Sequence, residues 1–270
     1  MSKMDAVVPM KLSLNKEFKF RCHKGIKCFT SCCSNIDILL TPYDILKLKN
    51  RFGILSGEFL EKYTYVKIDE KSFHPHVMLK MLDDEERKCP FVNSQGCTIY
   101  TDRPANCRYY PIGQGTLKKE GEKGLEEEEF YFFIKEPHCF GYQEDRKWTI
   151  ESWRIDQGVD IYDKMNRQWK TIQLRKNIPG QAELDDNKQK QFYMASYDID
   201  RFKRFIFESR FLDVFDIDEE TVKKIKKDET ELMKFGFKYI KYIMMLEQTL
   251  KVKGGAPGER KKKPPEDTSP

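Results

Sequence analysis

The sequence contains no uninterrupted apolar run that approaches the roughly 20 residues of a membrane-spanning helix. Its first 20 residues alternate charged side chains with short apolar pieces and lack the apolar core of a secretory signal peptide. We therefore predict that the protein has no membrane span and is cytoplasmic.

The sequence also lacks a basic stripe of the kind that binds nucleic acid. It has 49 Lys and Arg against 44 Asp and Glu, a net charge of +5, and the basic residues are scattered along the chain. Nucleic acid is therefore not an expected partner. The chain has no Walker loop, HExxH stretch or recognisable Ser/His/Asp set, so the sequence leaves open whether the protein is an enzyme.

Cysteine is missing from the chain after residue 139, although eight cysteines precede that point. They are Cys22, Cys28, Cys32, Cys33, Cys89, Cys97, Cys107 and Cys139. Cysteines used only as small core residues would have no reason to avoid the second half of the chain. The segregation therefore indicates that all eight serve one local structure.

Metal ligation explains these cysteines better than disulfide bonding, because cytosolic thiols are kept reduced. Eight is twice the four thiolates that close a tetrahedral zinc site or hold one iron–sulfur cluster. Cys28 and Cys32 can face one ion from a single turn of chain. The adjacent Cys32 and Cys33 point in different directions and suit two neighbouring centres. We predict that all eight cysteines are metal ligands.

The residues around the cysteines favour tight turns that aim backbone N–H groups at sulfur; they are Gly25, Pro90, Gly96 and Pro104. Thiolate-rich sites select zinc, iron–sulfur clusters or copper(I) and disfavour magnesium and calcium. Four histidines could substitute as ligands, but we expect them at the surface or beside the site; they are His23, His74, His76 and His138.

The expected fold is α+β, with a cysteine-cluster N-terminal half of short strands and helices and a mainly helical C-terminal half. Thr41, Pro42 and Asp44 predict a capped helix through about Phe52. The other elements expected in the N-terminal half are a strand over 11–22, a buried segment over 36–40, a helix from Ser56, strands at 76–82 and 130–135, and an exposed loop or hairpin tip over 116–129.

In the C-terminal half, Ile155, Val159, Tyr162, Trp169 and Ile172 follow helical spacing and predict one helix. We expect a polar link over 176–190, a helix capped by Asp198 or Asp200 and a final long helix over 219–253. The predicted domains are a metal-binding domain over 11–145, a helical region over 146–253 packed on it and a disordered tail over 254–270.

Four sequence blocks resemble the YkgJ family of cysteine-cluster proteins, described as zinc- or iron-chelating domains. The blocks are Phe20-Arg21-Cys22 with Cys28, Cys32 and Cys33; Cys89-Pro90-Phe91; Gly96-Cys97-Thr98-Ile99-Tyr100; and Arg103-Pro104 with Cys107-Arg108 and Pro111. The resemblance covers about residues 18–142. Five residues separate Cys22 from Cys28 where many members have two, and this longer interval is similar to the related flagellin lysine N-methylases.

Three functions are compatible with these observations. The first is an iron–sulfur protein with a redox or electron-transfer role, in which two four-ligand clusters account for the eight thiolates. The second is a structural zinc module whose helical half binds an unidentified protein partner. The third, implied by the resemblance alone, is a lysine methylase, although the sequence offers no Gly-rich nucleotide loop after a strand.

Overall fold

The computed structural model describes residues 7–70, 73–121, 124–174 and 185–253. The chain forms two compact units, Met1–Asp185 and Asp186–Pro270. The second unit contains the described helices from α6 onward, and the first contains all the cysteines and all the named strands. The tail predicted over 254–270 lies outside the described residues, and the domain boundary predicted at residue 145 stays a prediction.

The strands are β1 Val7–Leu12, β2 Glu17–Lys19, β3 Leu39–Leu40, β4 Thr64–Ile68, β5 Pro75–Leu79, β6 Val92–Asn93, β7 Gly96–Cys97, β8 Ile112–Gly121, β9 Gly124–Ile134 and β10 Lys147–Thr149. The helices are α1 Pro42–Phe52, α2 Ser56–Tyr63, α3 Ala105–Tyr109, α4 Ile150–Gln157, α5 Val159–Leu174, α6 Asp186–Ser196, α7 Ile199–Glu208, α8 Phe211–Val214, α9 Glu219–Lys227 and α10 Glu229–Ile243. This mixture confirms the predicted α+β class with a helical C-terminal half.

The strands of the first unit form small antiparallel sheets. Two are three-stranded, in the orders β1-β9-β8 and β3-β5-β4, and two are two-stranded, β10 with β2 and β6 with β7. An apolar core containing Phe18, Phe20, Ile112, Phe133 and Trp153 packs around the first of these sheets and the β2-β10 ladder. The core supports the segment that carries the first cysteines, because that segment continues directly from β2.

Helix α1 forms as its sequence predicts. The Thr41 hydroxyl accepts from the Asp44 backbone N–H, and the Asp44 carboxylate accepts in return from the Thr41 backbone N–H at 2.8 Å. This reciprocal capping satisfies two N–H groups at the start of the helix. Asp44 also accepts from the backbone N–H of Ala105 at 2.9 Å, so one buried carboxylate fixes the start of α1 and of α3.

Two predicted elements of the N-terminal half differ from the structure. The single strand expected over 11–22 is wrong, because a turn with a hydrogen bond from Lys16 N–H to Ser13 O separates β1 from β2. Of the two structures expected over 116–129, an exposed loop or a hairpin tip, the hairpin is the one present, but its strands extend through most of the stretch: β8 and β9 pair from Ile112 opposite Phe133 to Gly121 opposite Gly124. Backbone pairing along the hairpin outweighs the polar composition that indicated a loop.

The helix predicted from Ile155 to Ile172 is two helices. Gly158 ends α4 in the left-handed region, with φ 62°, a conformation that glycine adopts at little cost. The break rotates the helical faces, so Ile155 is 67% exposed while Val159 and Ile172 are buried. Both helices are grouped with the first unit.

The second unit is helical, and it corrects two further expectations. Part of the predicted link over 176–190 lies outside the described residues, and the rest belongs to α6, which begins at Asp186. The final helix over 219–253 is interrupted at Asp228, whose carboxylate caps α10 by accepting from the N–H groups of Thr230 and Glu231. The cap of α7 is Asp198, as predicted. No helix in the described part of the chain is long and apolar enough to cross a membrane.

Replacing Asp44 by Asn should lower the free energy of unfolding by about 1–3 kcal/mol, since an NH2 donor then replaces one of the two buried oxygens that accept from Thr41 and from Ala105. Urea unfolding followed by circular dichroism measures this change. Asp83→Asn, at an exposed position, is the matched control and should be neutral. Equal stability of the two variants would contradict the role of Asp44 as a link.

Replacing Gly236 by Ala should destabilise the second unit. A methyl group there would lie 2.4 Å from the carbonyl oxygen of Ala195, where α10 packs against α6. Overpacking of this kind costs about 1–3 kcal/mol, which exceeds the gain of about 1 kcal/mol in helix propensity. Thermal unfolding checks the sign, with the exposed Lys238→Ala as the control for propensity alone. A higher melting temperature for the Gly236 variant would contradict this prediction, because it would show that α6 and α10 can move apart enough to accommodate the methyl group at little cost.

Candidate metal centre

All eight cysteines line one cavity of about 1490 Å³ in the first unit, and none is disulfide-bonded. The same cavity is lined by apolar side chains that include Phe20, Ile26, Phe29 and Phe91. Cysteines that are up to 117 residues apart in sequence, Cys22 to Cys139, therefore share one cavity. The chain brings them there through short contacts between separate segments.

The first group consists of Cys22, Cys28, Cys32 and Cys139. The backbone of Arg21 donates to the carbonyl of Gly141 at 3.0 Å, which places Cys22 beside the segment that contains Cys139. The sulfur of Cys28 accepts from the backbone N–H of Phe140 at 3.2 Å. Two hydrogen bonds thus join the first cysteine segment to the last.

The four thiols of this group affect one another electrostatically. The pKa of Cys22 is raised to about 11. Burial is the main cause, and the nearby Cys32, Cys28 and Cys139 contribute in the same direction. Burial is also the main cause of the raised pKa of Cys139, to which Cys28 and Cys32 add. Ionising any one of the four therefore makes ionising the others less favourable.

The second group consists of Cys89, Cys97 and Cys107. Strands β6 and β7 pair Val92 with Cys97, and Thr98 N–H donates to Phe91 O at 2.8 Å, so this hairpin brings Cys97 back toward Cys89. Burial raises the pKa of Cys107, and Cys89, Asp44 and Cys97 raise it further. Arg103 acts in the opposite direction, because its positive charge favours the thiolate.

Cys33 lies between the two groups. Its carbonyl accepts from the backbone N–H of Cys89 at 2.8 Å, and its side chain interacts with that of Cys32. The hydrogen bond between these side chains is the main cause of the raised pKa of Cys32, ahead of burial. The adjacent pair Cys32 and Cys33 therefore connects the first group to the second.

In addition to the contact of Phe140 with Cys28, backbone N–H groups face sulfur at Cys89, Cys97 and Cys139, and at these three the donor is two residues further along the chain. Phe91, Ile99 and Gly141 donate to Cys89, Cys97 and Cys139, and each bond lowers the pKa of its thiol against the effect of burial. Bonds of this type stabilise a ligating thiolate. The prediction that the local turns aim N–H groups at sulfur agrees with the bonds at Cys89 and Cys97, whereas no such turn was predicted at Cys139.

The sulfurs share a cavity without meeting at one point. Within the described ranges, no group of three or more His, Cys, Asp or Glu side chains is arranged to hold a metal ion directly. The histidines have other contacts: His23 faces Glu144 at 3.2 Å, His138 faces Glu136 at 3.4 Å, and His74 and His76 each face Gln173 at 3.1 Å. The donor set that fits a metal is therefore the thiols, whose side chains would converge on it.

One wall of the cavity depends on Arg108, whose role was not evident from its position beside Cys107. Its guanidinium donates to the carbonyls of Arg103 at 3.0 Å and Gln157 at 2.8 Å, and to the Tyr162 hydroxyl at 3.0 Å. These bonds fix α3, which carries Cys107, against α4 and α5. Only the tertiary structure brings these acceptors together, so sequence reasoning offered no signal for them beyond the arginine itself.

Residues 21–144 match a family model named CxxCxxCC and described as a "Putative zinc- or iron-chelating domain". The match includes every cysteine of the cavity and confirms the resemblance to a cysteine-cluster domain of this kind, although the description does not carry the name YkgJ. The match covers 124 of the 270 residues, and its description names zinc or iron as the metal that such a domain would chelate. No curated protein and no solved structure matches the chain.

Metal affinity should rise with pH. Because burial and neighbouring thiols raise the pKa of Cys22, and burial raises that of Cys89, each to about 11, these groups are protonated at neutral pH and release protons on binding. We expect up to about a tenfold gain in affinity per pH unit for each proton released, measured by zinc competition against a calibrated chelator. Cys139→Ser should show a shallower slope, and a pH-independent affinity would contradict thiol ligation.

Proposed function

We propose that the eight cysteines hold two four-thiolate centres and that these centres are iron–sulfur clusters with a redox or electron-transfer role. The observation that carries the proposal is the placement of all eight sulfurs around one cavity in two groups joined by Cys33. The first centre would use Cys22, Cys28, Cys32 and Cys139. The second would use Cys33, Cys89, Cys97 and Cys107.

The size of the cavity supports clusters over single ions. A lone zinc ion draws four sulfurs to about 2.3 Å, whereas a cluster contributes its own iron and sulfide and connects thiolates that are further apart. Eight thiols from separate segments line one cavity in two neighbouring groups, which suits the larger group. The N–H groups directed at Cys89, Cys97 and Cys139 are of the kind that tune cluster potentials.

The chemistry supplied by bound clusters would be the exchange of single electrons. The chain's own contribution is to hold the thiolates, to exclude water with apolar side chains such as Phe20 and Phe91, and to direct N–H groups at sulfur. Tyr110 adds a hydroxyl with a single proton, which can be directed either at Glu136 Oε2, 3.0 Å away, or at the sulfur of Cys139. This contact favours the thiolate form of Cys139 and lowers its pKa against burial.

The second candidate is a structural zinc module, which the family description supports because it names zinc beside iron. Protein purified without oxygen separates the two. A brown protein with stoichiometric iron and acid-labile sulfide would support clusters, and a colourless protein with stoichiometric zinc would support the module. The lysine methylase alternative stays a prediction, since the match gives no indication of methyl transfer.

Replacing Cys139 or Cys107 by Ser should each remove about half of the iron and sulfide, because each variant breaks a different centre. Metal and sulfide analysis after anaerobic purification measures the loss. Ser94→Ala, at an exposed position in the turn between β6 and β7, should keep the full content. Complete metal in either cysteine variant would exclude that residue as a ligand, and complete loss in both would indicate one shared centre.

A further inference from the structure

Strand β4 forms an exposed edge of the sheet β3-β5-β4. It lies at one side of this sheet and pairs with β5 alone among the described strands. Thr64 at its start is buried, and the four residues that follow, over 65–68, are exposed. An edge strand of this kind presents a row of backbone groups to which another strand can pair.

The hydrogen-bond register fixes which backbone groups of β4 point outward. Asp69 N–H donates to His74 O at 3.0 Å just beyond one end of the ladder. Lys80 N–H donates to Tyr63 O at 2.8 Å just beyond the other end, and both pairs share the register of β4 with β5. Hydrogen-bonded pairs alternate along an antiparallel ladder, so the odd-numbered residues of β4 face β5 and the even-numbered ones face away.

The outward-facing groups of β4 have no partner in the described part of the chain. They are the N–H and C=O of Val66 and Ile68 and the C=O of Thr64, whose N–H is bonded to Leu60 O. Val66 lies opposite the fully buried Val77 and therefore on the face of the sheet that packs on the core, yet Val66 and Ile68 are 46% and 40% exposed. The apolar row of this face thus continues past the core to the open edge.

A second copy of β4 complements this edge. A two-fold axis through Val66 places Val66 opposite its own copy and Thr64 opposite Ile68 of the copy. The N–H of Val66 then donates to the C=O of its copy, and the N–H of Ile68 donates to the C=O of Thr64, and symmetry repeats both bonds. The apolar side chains of the two strands lie side by side on the same face of the extended sheet.

Lys67 selects this register over its neighbours. A lysine on an edge strand opposes pairing where it meets a like charge. With the axis through Val66, Lys67 lies opposite the Tyr65 ring of the copy. A shift of two residues in one direction places Lys67 opposite its own copy, and a shift in the other direction places Ile68 opposite Lys62, which belongs to α2.

We propose that β4 is an interaction surface for a second copy of this chain, in which the two sheets join across a two-fold axis through Val66. The strand is short, so this contact gives a weak homodimer whose population rises with concentration. The proposal goes beyond metal binding and does not depend on which metal the cysteines hold, because residues 64–68 do not line the cysteine cavity.

Sedimentation equilibrium of the metal-loaded full chain tests the dimer, with oxygen excluded so that disulfide-linked species do not form. We expect a monomer–dimer equilibrium that responds to charge at position 65. Relative to the neutral Tyr65→Gln, Tyr65→Glu should tighten the dimer and Tyr65→Lys should weaken it, each by about two- to thirtyfold, because symmetry repeats the pair with Lys67. A chain that stays monomeric up to about 1 mM, or a dimer that is insensitive to the sign of this charge, would overturn the proposal.

A backbone variant tests the same edge independently. Val66→Pro removes the N–H that bonds to the copy and breaks no hydrogen bond within one chain, since this N–H faces away from β5. It should abolish the dimer, whereas Val66→Thr keeps the N–H and a β-branched side chain and should retain it. Melting temperatures measured on dilute protein confirm that both variants fold, and the position 65 series decides the question if Val66→Pro does not. Equal dimerisation of the two Val66 variants would assign the dimer to another surface.

Discussion

The cost of ionising thiols that share a poorly solvated cavity constrains the whole first unit. Burial and neighbouring sulfurs raise the pKa of Cys22 and of Cys107, so the thiolate form is unfavourable at both. A bound cation reverses this balance, because it replaces the repulsion between thiolates by attraction to a common positive charge. The N–H groups aimed at sulfur assist in the same direction. The thiolate forms of cysteines that line such a cavity are therefore favoured only when a metal is bound to them.

The cavity keeps its shape because buried polar side chains join segments that are distant in sequence. Asp44 connects the start of α1 to the start of α3, and Arg108 connects α3 to the helices that follow. Each of these groups is fully engaged by its partners, as buried polar groups must be. Asn166, Gln114 and Gln173 differ from them, since each has a buried side-chain atom with no hydrogen-bond partner among the described residues.

Local sequence signals predicted the fold where short-range interactions decide it. The helix from Pro42 to Phe52 was predicted to the residue, because its cap is formed within four residues of its start. The predictions failed where long-range pairing or one residue changes the outcome. The β8-β9 hairpin depends on cross-strand hydrogen bonds that composition does not reveal, and Gly158 and Asp228 divide what periodicity presents as continuous helices.

The sequence by itself determined the chemical class of the site, because eight cysteines confined to the first 139 residues are explained by metal and by little else. It also indicated that Cys32 and Cys33 serve different neighbours. Only the tertiary structure decided which sulfurs lie together, since the contacts that join residues 21–28 to residues 139–141 span more than a hundred positions. Hydrogen bonds between such distant segments leave no periodic or local trace in the sequence.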